Sequence, residues 1–378
     1  MRKYKTDIPP IPYLSIMNAP ASSFSAMVGK RLCRNKVAMV ALCFIFAVLL
    51  MAIFGYWLAP DYSPNADFQT VEIQAKSPGY QQHFFALPHA TATQTNWWQR
   101  SWYGARPDAQ LIPIHQYQWK KDSIILQKYV DETTSERIAF FTGKYADTAQ
   151  LIQRRTYWLG TDKFGRDILS RLIIGARVSL AVGCIAVFIS LLLGVLLGAM
   201  AGYFGGKTDA LIMWLVNVTW SIPTLLLVFA ITMAMGKGFW QIFIAVGLTM
   251  WVSVARLIRG QVMAIREQEY VLAARALGLG HFRILFKHIL PNCLGPLLVI
   301  AASNFATAII IEAGLSFLGI GIQPPQPSWG LMIKENYNFI ITHHPLLALI
   351  PGFAIMLLVL AFNLLGNGLR DAVDVKAQ

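Results

Sequence analysis

The chain has 378 residues, of which 56% are hydrophobic and only 13% are charged. A soluble domain carries about 25% charged residues, so the composition excludes an ordinary cytosolic enzyme, a disordered chain and a disulfide scaffold, and it points to a polytopic membrane protein. The net charge is +13, from 32 Lys+Arg against 19 Asp+Glu, which in such a composition reads as basic loops on the cytoplasmic side of a membrane rather than as a nucleic-acid surface.

Residues 1–36 are expected to be a cytoplasmic leader. It begins proline-rich (DIPPIPY, 7–13), and an interfacial helix is predicted near 23–35. It holds Arg2, Lys3, Lys5, Lys30, Arg31, Arg34 and Lys36 against one acid, Asp7. That bias places this end in the cytoplasm. Residues 37–58 carry no charge. They are long enough to cross a hydrocarbon core of about 30 Å, and they read as a retained anchor rather than a cleaved signal peptide.

Residues 59–157 carry charges of both signs and many aromatic residues, among them Trp97, Trp98, Trp102, Tyr103, Tyr117 and Trp119. The runs SIILQKYV and ERIAFF flank DETTS, a pattern that predicts a β-hairpin near 123–141. A small, partly β periplasmic subdomain is expected. It either caps the transport pathway or touches a binding protein, or is a structural ornament on the outer surface. Over 158–177, Ile168, Leu169, Leu172 and Ile173 form an apolar stripe with Asp167, Ser170 and Arg171 among the polar positions. This predicts a helix lying in the periplasmic membrane interface. Asp162 and Asp167 read as scaffold, with substrate contact as the alternative.

Further apolar runs near 178–204, 210–236, 238–255, 293–311 and 346–367 bring the count to six spans. Both termini then lie in the cytoplasm, with a core over 178–369 and a tail over 370–378. Gly194, Gly198 and Gly202 recur every four residues, which fits either close helix packing in lipid or the ordinary tolerance of membrane helices for glycine. Residues 201–208, AGYFGGKT, nearly match a phosphate loop. A phosphate loop needs a strand before it, and here a membrane span precedes it, so a tight glycine turn is expected instead. Pro223 predicts a kink in the third span.

The loop 256–292 carries Arg256, Arg259, Arg266, Arg275, Arg283 and Lys287 and is predicted to be cytoplasmic. No span places an ionisable residue near its middle; Glu312 falls at the outer end of the fifth. That argues against an ion-driven carrier. Asn217, Thr219, Ser221 and Asn304 either line an aqueous path or bond between helices. Cys33, Cys43, Cys184 and Cys293 show no CxxC spacing and none lies in the large polar segment, so neither a disulfide framework nor a metal site is indicated.

Three segments, GTDKFGRDILSRLIIGARVSL (160–180), EYVLAARALGLGHFRILFKHILPN (269–292) and EAGLSFLGIGIQPPQPSWG (312–330), reinforced by NLLGNGLRDAVD (363–374), occur in this order. Together they resemble the inner-membrane permease of a peptide ABC importer, of the DppC/OppC-like kind. The resemblance covers the first span and nearly everything after residue 157. It implies an all-α polytopic membrane protein with the six transmembrane helices of the type I ABC importer permease fold, here carrying the insertion between the first and second spans.

The second segment resembles the family's EAA loop, which couples the permease to an ATPase. Ala273, Ala274, Gly278, Leu290 and Pro291 fit that pattern, while Leu272 occupies the glutamate position. Glu269 lies three residues earlier, and whether it takes over that contact is open. The residues themselves predict a helix over 267–277 with Tyr270, Ala273, Ala274 and Leu277 on one face, a break at Gly278 and Gly280, and a second short helix over 282–290 stopped by Pro291.

The resemblance implies a non-catalytic subunit without bound cofactor, with ATP and Mg held by two partner ATPases. It also implies a second homologous permease and a periplasmic substrate-binding protein as partners. No substrate-binding residue is singled out. The same machinery importing nickel chelates or another small solute, and a non-transporting membrane scaffold, are the alternative functions.

Overall fold

The computed structural model describes residues 24–88, 96–105, 109–120, 123–141, 151–236, 238–341 and 344–373. The proline-rich leader at 7–13 lies outside the described residues, as does the tail beyond residue 373. The first described element is helix α1 (Phe24–Arg34), which continues into α2 (Lys36–Ile53). Asn35 separates them, and its side chain accepts a hydrogen bond from the Ala38 N–H at 3.1 Å, capping α2. A short α3 (Gly55–Leu58) follows.

Among its described residues the insertion forms a five-stranded antiparallel sheet ordered β4-β3-β2-β1-β5. Its elements are β1 (Tyr80–Pro88), α4 (Trp97–Tyr103), β2 (Ala109–Lys120), β3 (Ser123–Tyr129), β4 (Ser135–Phe141) and β5 (Ile152–Tyr157). The predicted hairpin is β3–β4. Asp131 closes its turn by accepting from the backbone N–H groups of Thr133 and Thr134 at 2.8 and 2.6 Å. Alternation along β1 sends Phe84 and Phe85 to opposite faces. Phe84 packs with Ile73, Leu111 and Tyr157, and Phe85 with Ile114, Ile124 and Leu126.

Helix α5 runs unbroken over Ile168–Phe204. This corrects the interfacial helix expected over 158–177. Its first turns are not a separate amphipathic piece, because Ser170 and Arg171 are buried along with Ile168, Ile173 and Ile174. The polar stripe faces protein rather than water. After the turn at Gly205 come α6 (Gly206–Ser221) and α7 (Thr224–Met235), which meet at 94°. Ile222 adopts extended backbone, φ −95° and ψ 129°, as the residue before a proline favours. The kink expected at Pro223 is thus a near-right-angle break. AGYFGGKT is the end of one helix and the start of the next, with no strand before it.

Helix α8 spans Phe239–Arg266, eleven residues beyond the expected end of the fourth span, so the loop predicted from 256 begins as helix. Then come α9 (Glu269–Ala276) and α10 (His281–Ile284). A π turn (Leu285–Ile289) and a 3-10 turn (Leu290–Cys293) lead into α11 (Leu294–Phe317). The stop expected at Pro291 does not occur. The backbone widens and then tightens around the residue that lacks an N–H, and the helical path continues. Glu312 therefore lies inside α11, fully buried, with the Ser316 hydroxyl donating to it at 2.7 Å. Helices α12 (Trp329–Asn336) and α13 (Leu346–Val373) are the last described helices.

Among the described residues, five helices are long and apolar enough to cross a membrane, and the bent α6–α7 pair makes six. Their directions agree with six crossings. Gly194 and Gly202 of α5 lie against Val254 and Val262 of α8, so those helices run parallel and α6–α7 must bring the chain back. Gly295 of α11 lies against Val373, and Gly366 against Ala302, so α11 and α13 are antiparallel. One end of the bundle carries the sheet. The other carries the knob formed by residues 267–293.

Candidate functional site

The knob is built from α9, α10 and the two irregular turns. Helix α9 stops in a Schellman arrangement: the Gly278 N–H donates to the Arg275 carbonyl at 3.0 Å and the Leu279 N–H to the Ala274 carbonyl at 3.2 Å. That closure needs a left-handed residue, and Gly278 supplies it at φ +75°. A Cβ there would meet nothing within 4 Å, so the glycine serves backbone conformation and not space.

Val271 and Ala274 are the buried side of α9. They seat on Ile258 and Val262 of α8 and on Ile284, Leu285 and Ile289. This changes the face expected from sequence. Tyr270, Ala273 and Leu277 point outward while Ala274 points inward. Glu269, the first residue of α9, and Leu272 are also exposed. Leu290 is half-buried and Pro291 exposed in the 3-10 turn. The structure thus gathers Glu269, Leu272, Ala273, Ala274, Gly278, Leu290 and Pro291 on one projection, with Ala274 beneath its surface. Leu277 and Phe282 crown it, 81% and 75% exposed.

Polar bonds fix the knob to the bundle. The Arg266 guanidinium donates to the carbonyls of Gly202 and Tyr203 at 2.9 and 3.3 Å, satisfying last-turn carbonyls of α5 that have no partner within their own helix. The Tyr203 hydroxyl and His281 Nδ1 share a hydrogen bond of 3.0 Å. The Asn292 amide donates to the Tyr270 hydroxyl at 3.0 Å and to the His288 carbonyl at 2.8 Å. None of these supports was singled out from sequence, because each joins residues whose spacing carries no motif.

The glycines of α5 form the seat behind the knob. A Cβ on Gly198 would stand 2.5 Å from the Ala255 carbonyl oxygen and 2.9 Å from its Cα. One on Gly202 would stand 2.7 Å from the Arg259 carbonyl oxygen, and one on Gly194 would overlap Val254. The two backbones touch along this stripe. Beside it, Arg259 pairs with Asp209 of α6 through two bonds of 2.5 and 2.6 Å. Arg256 donates to Asn217 at 2.8 Å and lies 3.7 Å from the centre of the Trp220 ring.

At the sheet end, the segment beginning GTDKFGRD forms a buried ionic clasp. Arg166 donates to Asp162 at 2.7 Å, to Glu335 of α12 at 2.7 Å and to Asp67 at 3.1 Å. Arg171 adds a 3.0 Å bond to Glu335 and lies 3.5 Å from Asp162. Burial alone would lower the Arg166 pKa, but the Asp162 and Glu335 carboxylates beside it outweigh that and hold it above the ordinary value. Burial raises the Asp167 carboxyl, against the bonds it accepts from Ser170. Asp162 and Asp167 are both buried; both oxygens of Asp162, and Oδ2 of Asp167, take bonds from the chain's own groups. That is the scaffold role favoured for them. Glu335, which closes the clasp from 169 residues away, gave no sequence signal.

Two family models match the chain: "Binding-protein-dependent transport system inner membrane component" over residues 194–377 and "N-terminal TM domain of oligopeptide transport permease C" over 23–78. Among curated relatives, the dipeptide transport system permease protein DppC of Alkalihalophilus pseudofirmus is 41% identical over 268 residues, covering 68% of this chain and 88% of that one. The oligopeptide transport system permease protein OppC of Bacillus subtilis is 41% identical, covering 59% of this chain and 72% of that one. The glutathione transport system permease protein GsiD of Pectobacterium atrosepticum is 42% identical, covering 58% and 73%. Among solved structures, the MetNI methionine ABC transporter in inward-facing form matches at 20% identity and TM-score 0.45, covering 55% of this chain and 98% of that one.

The chain is a multi-pass inner-membrane permease of the ABC importer class. It belongs to the family of binding-protein-dependent transport system inner membrane components, within the group of DppC and OppC permeases.

Proposed function

We propose that this chain is the transmembrane subunit of an ATP-driven importer that moves short peptides from the periplasm to the cytoplasm. The observation that carries the reading is the knob: a rigidly seated projection with bare apolar side chains at its crown, at the end of the bundle opposite the sheet. Relatives named as dipeptide and oligopeptide permeases supply the cargo class. In this reading both termini and the knob lie in the cytoplasm and the sheet in the periplasm. The basic residues of the leader and of the 256–292 loop support that orientation.

Each step of coupling falls to a named part. The knob docks in a groove of an ATPase subunit, where Leu277 and Phe282 bury and Glu269 takes the contact that Leu272 cannot make. Two such ATPases bind ATP with Mg and hydrolyse it; this chain makes and breaks no covalent bond. Their closure pushes α9, and the push passes through Arg266 and the Tyr203–His281 bond to α5, whose glycine stripe carries α8 with it. A periplasmic binding protein delivers peptide to a path between this chain and a second homologous permease.

The test is affinity purification from native membranes with identification of co-purifying chains, followed by uptake of labelled di- and tripeptides, glutathione and nickel chelates in a deletion strain. Recovery of a second permease and of ATPase chains, with peptide uptake restored by the gene, is the expected result. Recovery of the chain alone under crosslinking overturns the assembly. Restoration of nickel uptake without peptide uptake overturns the cargo.

A further inference from the structure

We infer that helix α4 of the insertion is an interfacial foot that rests in the headgroup layer of the outer leaflet, and that the partner of its exposed aromatic face is the lipid surface. Residues 79–193, α4 among them, lie outside both family matches. Its sequence is WWQRSWY, with Trp97 and Tyr103 exposed to 66% and 74%, and with Trp98 and Trp102 also exposed. Four large rings facing outward on seven residues make a surface that water does not favour. Trp and Tyr, which pair an apolar ring with a polar edge, concentrate where a bilayer meets water.

The depth of α4 follows from its attachments. Helix α2 has 18 residues and at about 1.5 Å per residue is about 27 Å long, against a hydrocarbon core of about 30 Å, and α3 follows directly at its outer end. Trp57 and Leu58, both exposed, therefore sit at the edge of the core. The Trp57 indole N–H donates to the Ser101 hydroxyl at 3.0 Å, which holds α4 at that level. Arg177 of α5 donates to the Trp102 carbonyl at 3.0 Å, and its guanidinium lies 5.2 Å from the Tyr56 ring centre and 5.3 Å from that of Trp102. Helix α3 and the first turns of α5 thus clamp α4 from below. The one charge on α4, Arg100, is drawn over the Tyr62 ring at 4.9 Å. The foot would keep the sheet at a fixed height and tilt over the mouth of the bundle.

The experiment uses the full chain with its co-purifying partners in vesicles of phosphatidylcholine and phosphatidylglycerol. Tryptophan emission is compared with that of a Trp97→Phe, Trp98→Phe variant, which keeps the aromatic surface and removes only two fluorophores. The difference reports Trp97 and Trp98 alone. Lipids carrying a spin label near the headgroup are expected to quench that difference several-fold more than lipids labelled at the chain terminus, with little quenching by aqueous acrylamide. Strong acrylamide quenching without lipid quenching would place the face in water and overturn the inference. Quenching by neither would place it under protein, a second copy or a partner, and would overturn it equally.

Discussion

The two ends of the molecule are held together by opposite means. At the sheet end, two arginines and three acids interlock, and Arg166, Arg171 and Asp162 are almost wholly buried. At the knob end the polar bonds are hydrogen bonds through Arg266, Tyr203, His281 and Asn292, with no ion pair between them, and the crown is bare hydrocarbon. A clasp of buried charges fixes geometry because any shift strands a charge in low dielectric. A knob seated on Val271 and Ala274 and closed by a glycine turn holds its shape while leaving its crown free for another surface. The contrast separates a part fixed by buried charge from a part whose apolar crown is left bare.

The largest expected effect is at the clasp. Arg166→Met removes one of the two cations that Asp162 and Glu335 share and the partner of Asp67, and breaking a buried pair from one side costs about 3–5 kcal/mol. Thermal unfolding in detergent should show a large fall in midpoint, with reduced yield of inserted protein. A midpoint within a degree of the parent would break the comparison, because the clasp would then not be holding that end.

The glycine seat comes next. Gly198→Val puts side-chain atoms where the Ala255 backbone already stands, and overpacking of this kind costs about 1–3 kcal/mol. Gly260 on α8 meets nothing within 4 Å, so Gly260→Ala should be neutral or stabilising by about 0.5–1 kcal/mol, the usual helix difference between the two residues. Equal effects of the two substitutions in the same unfolding assay would show that the contact along the stripe does not set helix separation.

At the knob the predictions turn from stability to coupling. Gly278→Leu must adopt φ +75°, which costs about 1–2 kcal/mol for an ordinary residue and reopens the end of α9. Membrane insertion should persist while peptide uptake is lost. Gly278→Asn, which tolerates the left-handed region, should keep most of both. Normal uptake by a well-expressed Leu variant would detach the turn from function.

Much of this was legible from sequence, for physical reasons. Uncharged runs locate the spans because lipid leaves no partner for a charge, and the strand pattern around DETTS locates β3–β4 because one side of a hairpin alternates against the other. What escaped depends on partners far along the chain. Arg171 and Ser170 look like a water-facing stripe until Glu335, 164 residues beyond Arg171, is beside them. Pro291 looks like a stop until a π turn absorbs its missing N–H. Ala273 and Ala274 look equivalent until α8 shows which of the two it covers.

The smallest stability effect belongs to the crown, and it is the sharpest test of the contrast. Leu277 and Phe282 bury little against their own chain, so Leu277→Glu and Phe282→Glu should shift stability by no more than about 0.5 kcal/mol, as for surface positions generally. In an assembled transporter the same changes set a charge against an apolar groove, where no partner awaits it. ATPase chains should then fail to co-purify, and uptake should fall with them, while unfolding of the isolated permease is unchanged. A variant that unfolds early would mean the crown is part of the fold. One that binds ATPases normally would mean the grip lies elsewhere on the knob, with Glu269 the next residue to change.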